Sequence, residues 1–291
     1  MSQPTSLEHF NEPCEQCRDK RYVLERRGDR ARAVICDDCF ETCPACDGAE
    51  FVYETDERGY SFAKRCPLCG TLNQRIEAFN EAGIPARYYD WGAAFEHFQT
   101  RDEDGNPLGN LQQVKVRINR WLQGFDLGET GFLLHGPVGT GKTHLLAAVV
   151  RHLTLEKGIS CKFIEFTHLL SDIREQFDQG KGDSEIMAPL AEVPVLAIDE
   201  LGKGRNNQWQ LSIIDEIISK RYNRELTTLF TTNYPIEDRR EGKFDPSDED
   251  FTKNATQQTL RERIGERIFS RLYEMSNFLE LDAPDFRKRH G

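Results

Sequence analysis

Gly136-Pro137-Val138-Gly139-Thr140-Gly141-Lys142-Thr143 is the stretch that decides how the chain folds. It fits Gly-x4-Gly-Lys-Ser/Thr, the pattern of a phosphate-binding loop. The apolar run Gly131-Phe132-Leu133-Leu134-His135 leads into it and reads as a buried strand. His144-Leu145-Leu146-Ala147-Ala148-Val149-Val150 leads out and reads as a helix. In that context the glycines let several backbone N–H groups face one point, where the helix N-terminus adds partial positive charge. Lys142 is then placed to reach β- and γ-phosphates, and the Thr143 hydroxyl to hold Mg²⁺. The expected ligand is ATP with Mg²⁺.

Downstream, strand and helix patterns alternate, which implies a parallel sheet with helices on both faces. Ser160 to Phe166 reads as a strand, in which Cys161 packs as a small apolar residue. Thr167 is placed to cap a helix over 168–179, and a shorter helix follows near Met187. Val193-Pro194-Val195-Leu196-Ala197-Ile198-Asp199-Glu200 reads as a strand in which four apolar residues precede two carboxylates, Asp199 lying 57 residues beyond Lys142. In an open α/β sheet, ligands sit at the C-terminal ends of the strands. There Asp199 would hold Mg²⁺ through its water shell, and Glu200 would orient and polarise the water that attacks the γ-phosphate. A helix is expected over 209–223, then a strand from Thr228 to Asn233. Asn233 ends that strand with an amide suited to sensing the γ-phosphate. Residues 239–258 read as a polar loop, 259–275 as one arginine-rich helix, and Phe278-Leu279-Glu280-Leu281 as the last strand.

Upstream, eight of the nine cysteines form four Cys-x2-Cys pairs: Cys14/Cys17, Cys36/Cys39, Cys43/Cys46 and Cys66/Cys69. Each long spacer between pairs reads as strand, turn, strand. Four thiolates at this spacing make a tetrahedral Zn²⁺ site, and the metal supplies the stability a small hairpin lacks. The sequential pairing assigns Cys14, Cys17, Cys36 and Cys39 to one Zn²⁺ and Cys43, Cys46, Cys66 and Cys69 to the other. A crossed arrangement, with the middle four on one ion and the outer four on the other, satisfies the spacing too. Residues 1–75 carry 11 Lys/Arg against 14 Asp/Glu, which argues against a nonspecific DNA clamp. The first hairpin is locally basic, so nucleic acid stays open beside the reading of a small protein-binding module.

Between the two regions, 72–82 has helical spacing and stops at Gly83, and Ile84-Pro85-Ala86-Arg87-Tyr88-Tyr89 reads as extended. Leu111, Val114, Ile118, Leu122 and Phe125 mark one face of a further helix. The expected division is a zinc-binding partner module over 1–70, a helical linker and N-terminal segment over 71–130, and the ATPase core over 131–291. With 30% charged residues, no membrane-length apolar run and a polar first ten residues, a cytoplasmic chain is expected. The net charge of −11 repels nucleic acid in bulk, so any DNA contact needs a local basic patch or an oligomer that gathers one.

These residues together resemble the AAA+ ATPases of the DnaC/DnaI helicase-loader group and their relatives, the IstB-type transposition helper ATPases. The resemblance is carried by Ile84-Pro85-Ala86-Arg87-Tyr88, Gly136 to Leu145, Ile198-Asp199-Glu200-Leu201-Gly202, Arg221-Tyr222, Thr231-Thr232-Asn233 and Ser270-Arg271-Leu272. It implies an AAA+ P-loop parallel sheet flanked by helices, without a C-terminal helical lid and preceded by a small zinc-bound β-hairpin module. It also implies that Arg271 is an arginine finger reaching a neighbouring subunit's γ-phosphate, and that Arg287, in Asp-Phe-Arg, is a sensor-2 arginine in its own subunit. ATP would sit at interfaces of a homo-oligomer that holds a replicative DNA helicase through the zinc module and grips single-stranded DNA. A transposition helper acting on duplex DNA, and an ATP-gated scaffold, are the other readings. The Asp-Glu pair departs from the Asp-Asp common in loaders, and the eight-cysteine module departs from the loaders' version.

Overall fold

A computed structural model describes residues 14–39, 43, 45–67, 69–180, 182–204, 207–236 and 258–288. Strands β5 (Gly131–His135), β6 (Cys161–Glu165), β7 (Val195–Asp199), β8 (Thr228–Thr232) and β9 (Ser276–Glu280) form one sheet in the order β6-β7-β8-β5-β9. Every neighbouring pair is parallel. All residues of β7 and β8 are buried, as expected for strands covered on both faces.

Alternation along these strands sorts the core into two layers. Phe132 and Leu134 of β5, Phe163 of β6, Val195 and Ala197 of β7 and Leu229 of β8 face one side. That side is covered by α1 (Gly70–Ala82), α2 (Leu111–Gly124) and α3 (Lys142–Leu155). Leu133, Leu196, Ile198 and Phe230 face the other. There they meet α4 (Phe166–Asp178), α5 (Asp183–Glu192), α6 (Gln208–Asn223), α7 (Leu260–Ile264) and α8 (Glu266–Met275). No α-helix follows β9 among the described residues, which end in a single 3-10 turn at Phe286–Lys288.

The N-terminal part holds two antiparallel hairpins, β1 (Tyr22–Arg27) with β2 (Arg30–Ile35), and β3 (Phe51–Thr55) with β4 (Ser61–Arg65). They have the same design and different surroundings. Tyr22, Ala31 and Ala33 of the first are buried in the same core layer as α1 and α3. Backbone bonds tie it down, Ala31 N to Ile84 O at 2.9 Å and Ala86 N to Asp29 O at 2.8 Å. The Asn80 amide of α1 brackets Ala33, accepting from its N–H at 2.8 Å and donating to its carbonyl at 2.9 Å. The second hairpin stands in solvent, with Tyr53 80% and Tyr60 71% exposed.

Three local expectations are corrected. The run after Gly83 is extended at Pro85 (φ −59°, ψ 142°), but Ala86–Tyr88 coils into a 3-10 turn. Thr167 lies inside α4, which starts one residue earlier at Phe166, and its hydroxyl donates to Glu165 at 2.7 Å. The helix expected over 259–275 is two helices separated at Gly265, whose φ of 84° and ψ of 154° break the hydrogen-bond ladder. The polar loop expected over 239–258 lies, apart from Gln258, outside the described residues.

Candidate nucleotide site and cysteine clusters

The phosphate-loop octet joins β5 to α3 at the C-terminal edge of the sheet. Its glycines are forced by neighbours as well as by dihedrals. Gly136 has φ 137°, and a Cβ there would lie 2.2 Å from Leu281 O. Gly139 has φ 84°, and a Cβ there would meet the Asp285 carboxylate at 1.8 Å. The segment after β9 is thus pressed against the loop, and Phe286 N donates to Gly139 O at 3.1 Å.

Lys142 is 5% exposed and folds back over the loop. Its Nζ donates to the carbonyls of Gly136 (2.8 Å) and Pro137 (2.5 Å). Burial pushes its pKa down to about 8, although Asp199 and Glu200 pull the other way. The ammonium's third partner is the Thr140 hydroxyl at 3.4 Å, so it is held by neutral oxygens and is a cation ready for an anion. Asp199, at the end of β7, is buried and accepts from Thr143 Oγ1 at 3.0 Å and Thr231 Oγ1 at 2.6 Å. Burial raises its pKa against those two hydrogen bonds. A hydroxyl and a carboxylate in contact beside a phosphate loop are the donor set that Mg²⁺ with ATP requires. Glu200 follows in a left-handed backbone, φ 57°, with its N–H donating to Thr231 Oγ1 at 2.9 Å. Such a conformation in a non-glycine residue costs about 1–2 kcal/mol. The Glu200 carboxylate is paired with Lys203, which also reaches Glu165 at 3.2 Å.

A cavity of about 540 Å³ opens over the loop. Gly139, Gly141, Lys142 and Thr143 form its floor, and Glu200, Asn233 and Arg287 lie on its wall. Arg287 N bonds the Asp285 side chain at 3.0 Å. The rings of Tyr88, Phe98, His144 and Phe286 belong to the same lining, beside Arg87, His97 and Gln99, and Phe98 lies against Gly141 of the loop. Burial raises the Tyr88 phenol to about 12 and lowers the His144 imidazole below its ordinary value. The structure therefore brings Lys142, Thr143, Asp199, Glu200, Asn233 and Arg287 together. Arg271 is elsewhere. It sits on α8, off the cavity, and donates to Asp215 of α6 at 2.8 Å, while Arg267 lies 3.7 Å from the same carboxylate.

Sequence reasoning gave no role to Lys203, Phe98 or His144. A basic residue four positions past Asp199 was the only signal for the first. The two rings carried none, because their meeting depends on the segment before α2 folding over α3. Arg221, quoted above within Arg221-Tyr222, is fully buried and does not line the cavity. It donates to the carbonyls of Leu190, Val193, Pro194 and Thr227 and to the hydroxyl of Thr228.

The eight cysteines gather as the sequential pairing expects, and the crossed arrangement is not formed. Cys14, Cys17, Cys36 and Cys39 make one cluster and Cys43, Cys46, Cys66 and Cys69 the other, each with all sulfurs within 4.8 Å. Cys14–Cys36 and Cys17–Cys39 sulfurs are 3.7 and 3.4 Å apart, and Cys43–Cys66 and Cys46–Cys69 are 3.7 and 3.3 Å apart. A tetrahedron with Zn–S near 2.3 Å has edges of about 3.8 Å, so both donor sets fit Zn²⁺. Cys161 is buried in β6, away from both clusters. Among the described residues no helix is long and apolar enough to cross a membrane.

Part of this chain is similar to known proteins. Residues 122–250 match the family model described as IstB-like ATP binding protein. The chain is 27% identical over 161 residues to the replicative helicase loader DnaC of Escherichia coli (strain K12), covering 55% of this chain and 62% of that protein. It thus spans a little under two thirds of that relative. Over 115 residues it is 29% identical to the uncharacterized protein YqaM of Bacillus subtilis (strain 168), covering 38% of this chain and 36% of that one. Among solved structures, the crystal structure of the DnaC helicase loader superposes with a TM-score of 0.51 at 28% identity, covering 67% of this chain and 99% of that one. The chain is thus similar to the DnaC helicase loader and, over 122–250, to the IstB-like ATP binding proteins, and it carries two four-cysteine clusters in its N-terminal part.

Proposed function

We propose that this protein is an ATP-hydrolysing helicase loader whose turnover occurs between copies of the chain. The observation that carries the reading is a division of parts. Lys142, Thr143, Glu200, Asn233 and Arg287 share one cavity, with Asp199 buried behind it on Thr143, while Arg271 stands outside it on α8. An arginine needed by the γ-phosphate but held away from its own site has to come from a neighbour.

In this reading the phosphate loop and Lys142 bind the triphosphate, and Thr143 and Asp199 hold the Mg²⁺ that screens its charge. Glu200 leaves Lys203 to orient the attacking water and accept its proton. Asn233 hydrogen-bonds the γ-phosphate, and Arg287 contacts it from within the subunit. Zn²⁺ in the two cysteine clusters fixes the module over 1–70, which holds the replicative helicase. The linker over 71–130 joins it to the ATPase core over 131–291, and the assembled core grips single-stranded DNA.

The test is pull-down of the zinc-loaded full chain with its host's replicative helicase in the presence of ATP. Co-purification supports the loader, and its failure with both metal sites filled removes that reading. A transposition helper is the second reading, favoured by the IstB-like match over 122–250. ATP-dependent binding to duplex DNA, with no affinity for the helicase, would select it.

A further inference from the structure

The first cysteine hairpin reaches the edge of the nucleotide cavity. Its tip is joined to the segment after α1, where Arg30 and Pro85 form an antiparallel β-bridge. Ala31 N donates to Ile84 O at 2.9 Å, Ala86 N to Asp29 O at 2.8 Å and Arg30 Nη1 to Gly83 O at 2.5 Å. The next two residues, Arg87 and Tyr88, line the cavity over the phosphate loop. The Arg87 guanidinium lies over the Tyr88 ring at 4.8 Å, and that ring stands 5.7 Å from His144 in the first turn of α3. At its other end the hairpin is closed by Cys14, Cys17, Cys36 and Cys39. Among the described residues, β3 and β4 of the second hairpin make no hydrogen bond to residues 83–88, and neither strand lines the cavity.

We infer that the first hairpin is part of the nucleotide site, so that Zn²⁺ in its four-cysteine cluster and ATP over the loop strengthen each other's binding. The inference rests on the ATP-binding reading above. A two-stranded hairpin buries too little to fold alone, and the metal supplies what it lacks. Emptying the cluster lets the hairpin unfold and frees the segment from Gly83 to Ala86 of all three bonds. ATP then has to order the wall that Arg87 and Tyr88 form, at about 1–2 kcal/mol for each backbone residue fixed. Coupling of this kind is reciprocal, so ATP that fixes the wall also holds the hairpin and its metal. The second cluster has no bond to this segment and is expected to be indifferent.

The experiment titrates a chelator against the zinc-loaded full chain, with and without saturating ATP and Mg²⁺, and reads the zinc left in each cluster. Cys66→Ser, which keeps the first cluster alone, assigns the signals. ATP is expected to tighten zinc in the first cluster about tenfold, within the usual range of coupling between sites, and to leave the second unchanged. Lys142→Met is expected to show no shift, which separates linkage from chelation of zinc by free nucleotide. A chain carrying both Arg87→Ala and Tyr88→Ala still holds ATP through the loop and Lys142, and is expected to lose most of the shift. No shift in a wild-type chain with ATP bound would overturn the inference. Equal shifts at both clusters would do the same, as would a shift that survives in Lys142→Met or without Arg87 and Tyr88. A wild-type chain that does not bind ATP would instead remove the ATP-binding reading and this inference with it.

Discussion

In the proposed hydrolysis Glu200 is the residue on which the chemistry turns, and its surroundings are more constrained than its position at a strand end reveals. Its left-handed backbone and its bond to Thr231 aim the carboxylate outward, where Lys203 takes it. On the proposed role, neutralising Glu200 removes the group that would prepare the water and leaves the phosphate contacts in place. Glu200→Gln is therefore expected to bind ATP with Mg²⁺ and to lose at least about a hundredfold in turnover. Single-turnover assays with trapped radiolabelled ATP check this, and normal turnover would remove Glu200 from its role. Asp199 behaves differently, because its charge is buried and its pKa raised by that burial. A carboxyl whose folded pKa lies above its ordinary value costs stability once pH exceeds the ordinary value. Asp199→Asn is then expected to leave the ligand-free melting temperature unchanged or raised at neutral pH, while Mg²⁺-dependent ATP binding is lost. The carboxylate pair was legible in the sequence because its strand is uniformly apolar and ends abruptly. Lys203 was not, since an exposed lysine in a turn looks like any solvated charge until its partners are placed.

Arg221 shows what an element boundary can hide. At the C-terminal end of α6 it satisfies five acceptors where β7 and β8 begin, four carbonyls and one hydroxyl. It fastens that helix end to the sheet. Arg221→Met is expected to destabilise the fold by about 3 kcal/mol or more, because carbonyls it satisfied stay buried. Denaturant unfolding checks the size, and a loss under about 1 kcal/mol would contradict it. The sheet was readable at this scale because β5, β7 and β8 are near-continuous apolar runs. The break at Gly265 was not, since apolar and arginine positions run on through it with helical spacing. It takes the glycine's own dihedrals to separate α7 from α8. That break lets α8 set Arg271 against Asp215. Arg271→Ala is expected to spare ATP binding and abolish turnover. Mixing it with Glu200→Gln chains, each intact where the other is defective, is expected to restore part of the activity.

At the scale of the molecule, the two cysteine-bound hairpins are alike in sequence and unlike in consequence. The first is built into the layer over α1 and α3, and the second stands free. Spacing alone made both readable as metal sites. It left their roles equal, because the first hairpin's packing partners, Ile84 and Pro85, lie some 50 residues beyond it. Cys36→Ser is expected to lower the melting temperature of the ATPase core itself, whereas Cys66→Ser leaves that transition in place and unfolds only the outer hairpin. Calorimetry of both zinc-loaded variants separates the two cases, and equal losses would contradict the unequal packing.

The central claim is that the cavity over Lys142 receives ATP with Mg²⁺. Isothermal titration of ATP into the full chain, with and without Mg²⁺ and against Lys142→Met, tests it most directly. The account predicts saturable, Mg²⁺-dependent binding to the wild-type chain that falls at least about a hundredfold in the variant. A well-folded, zinc-loaded chain that releases no heat with ATP and shows no change on substitution of Lys142 would contradict it.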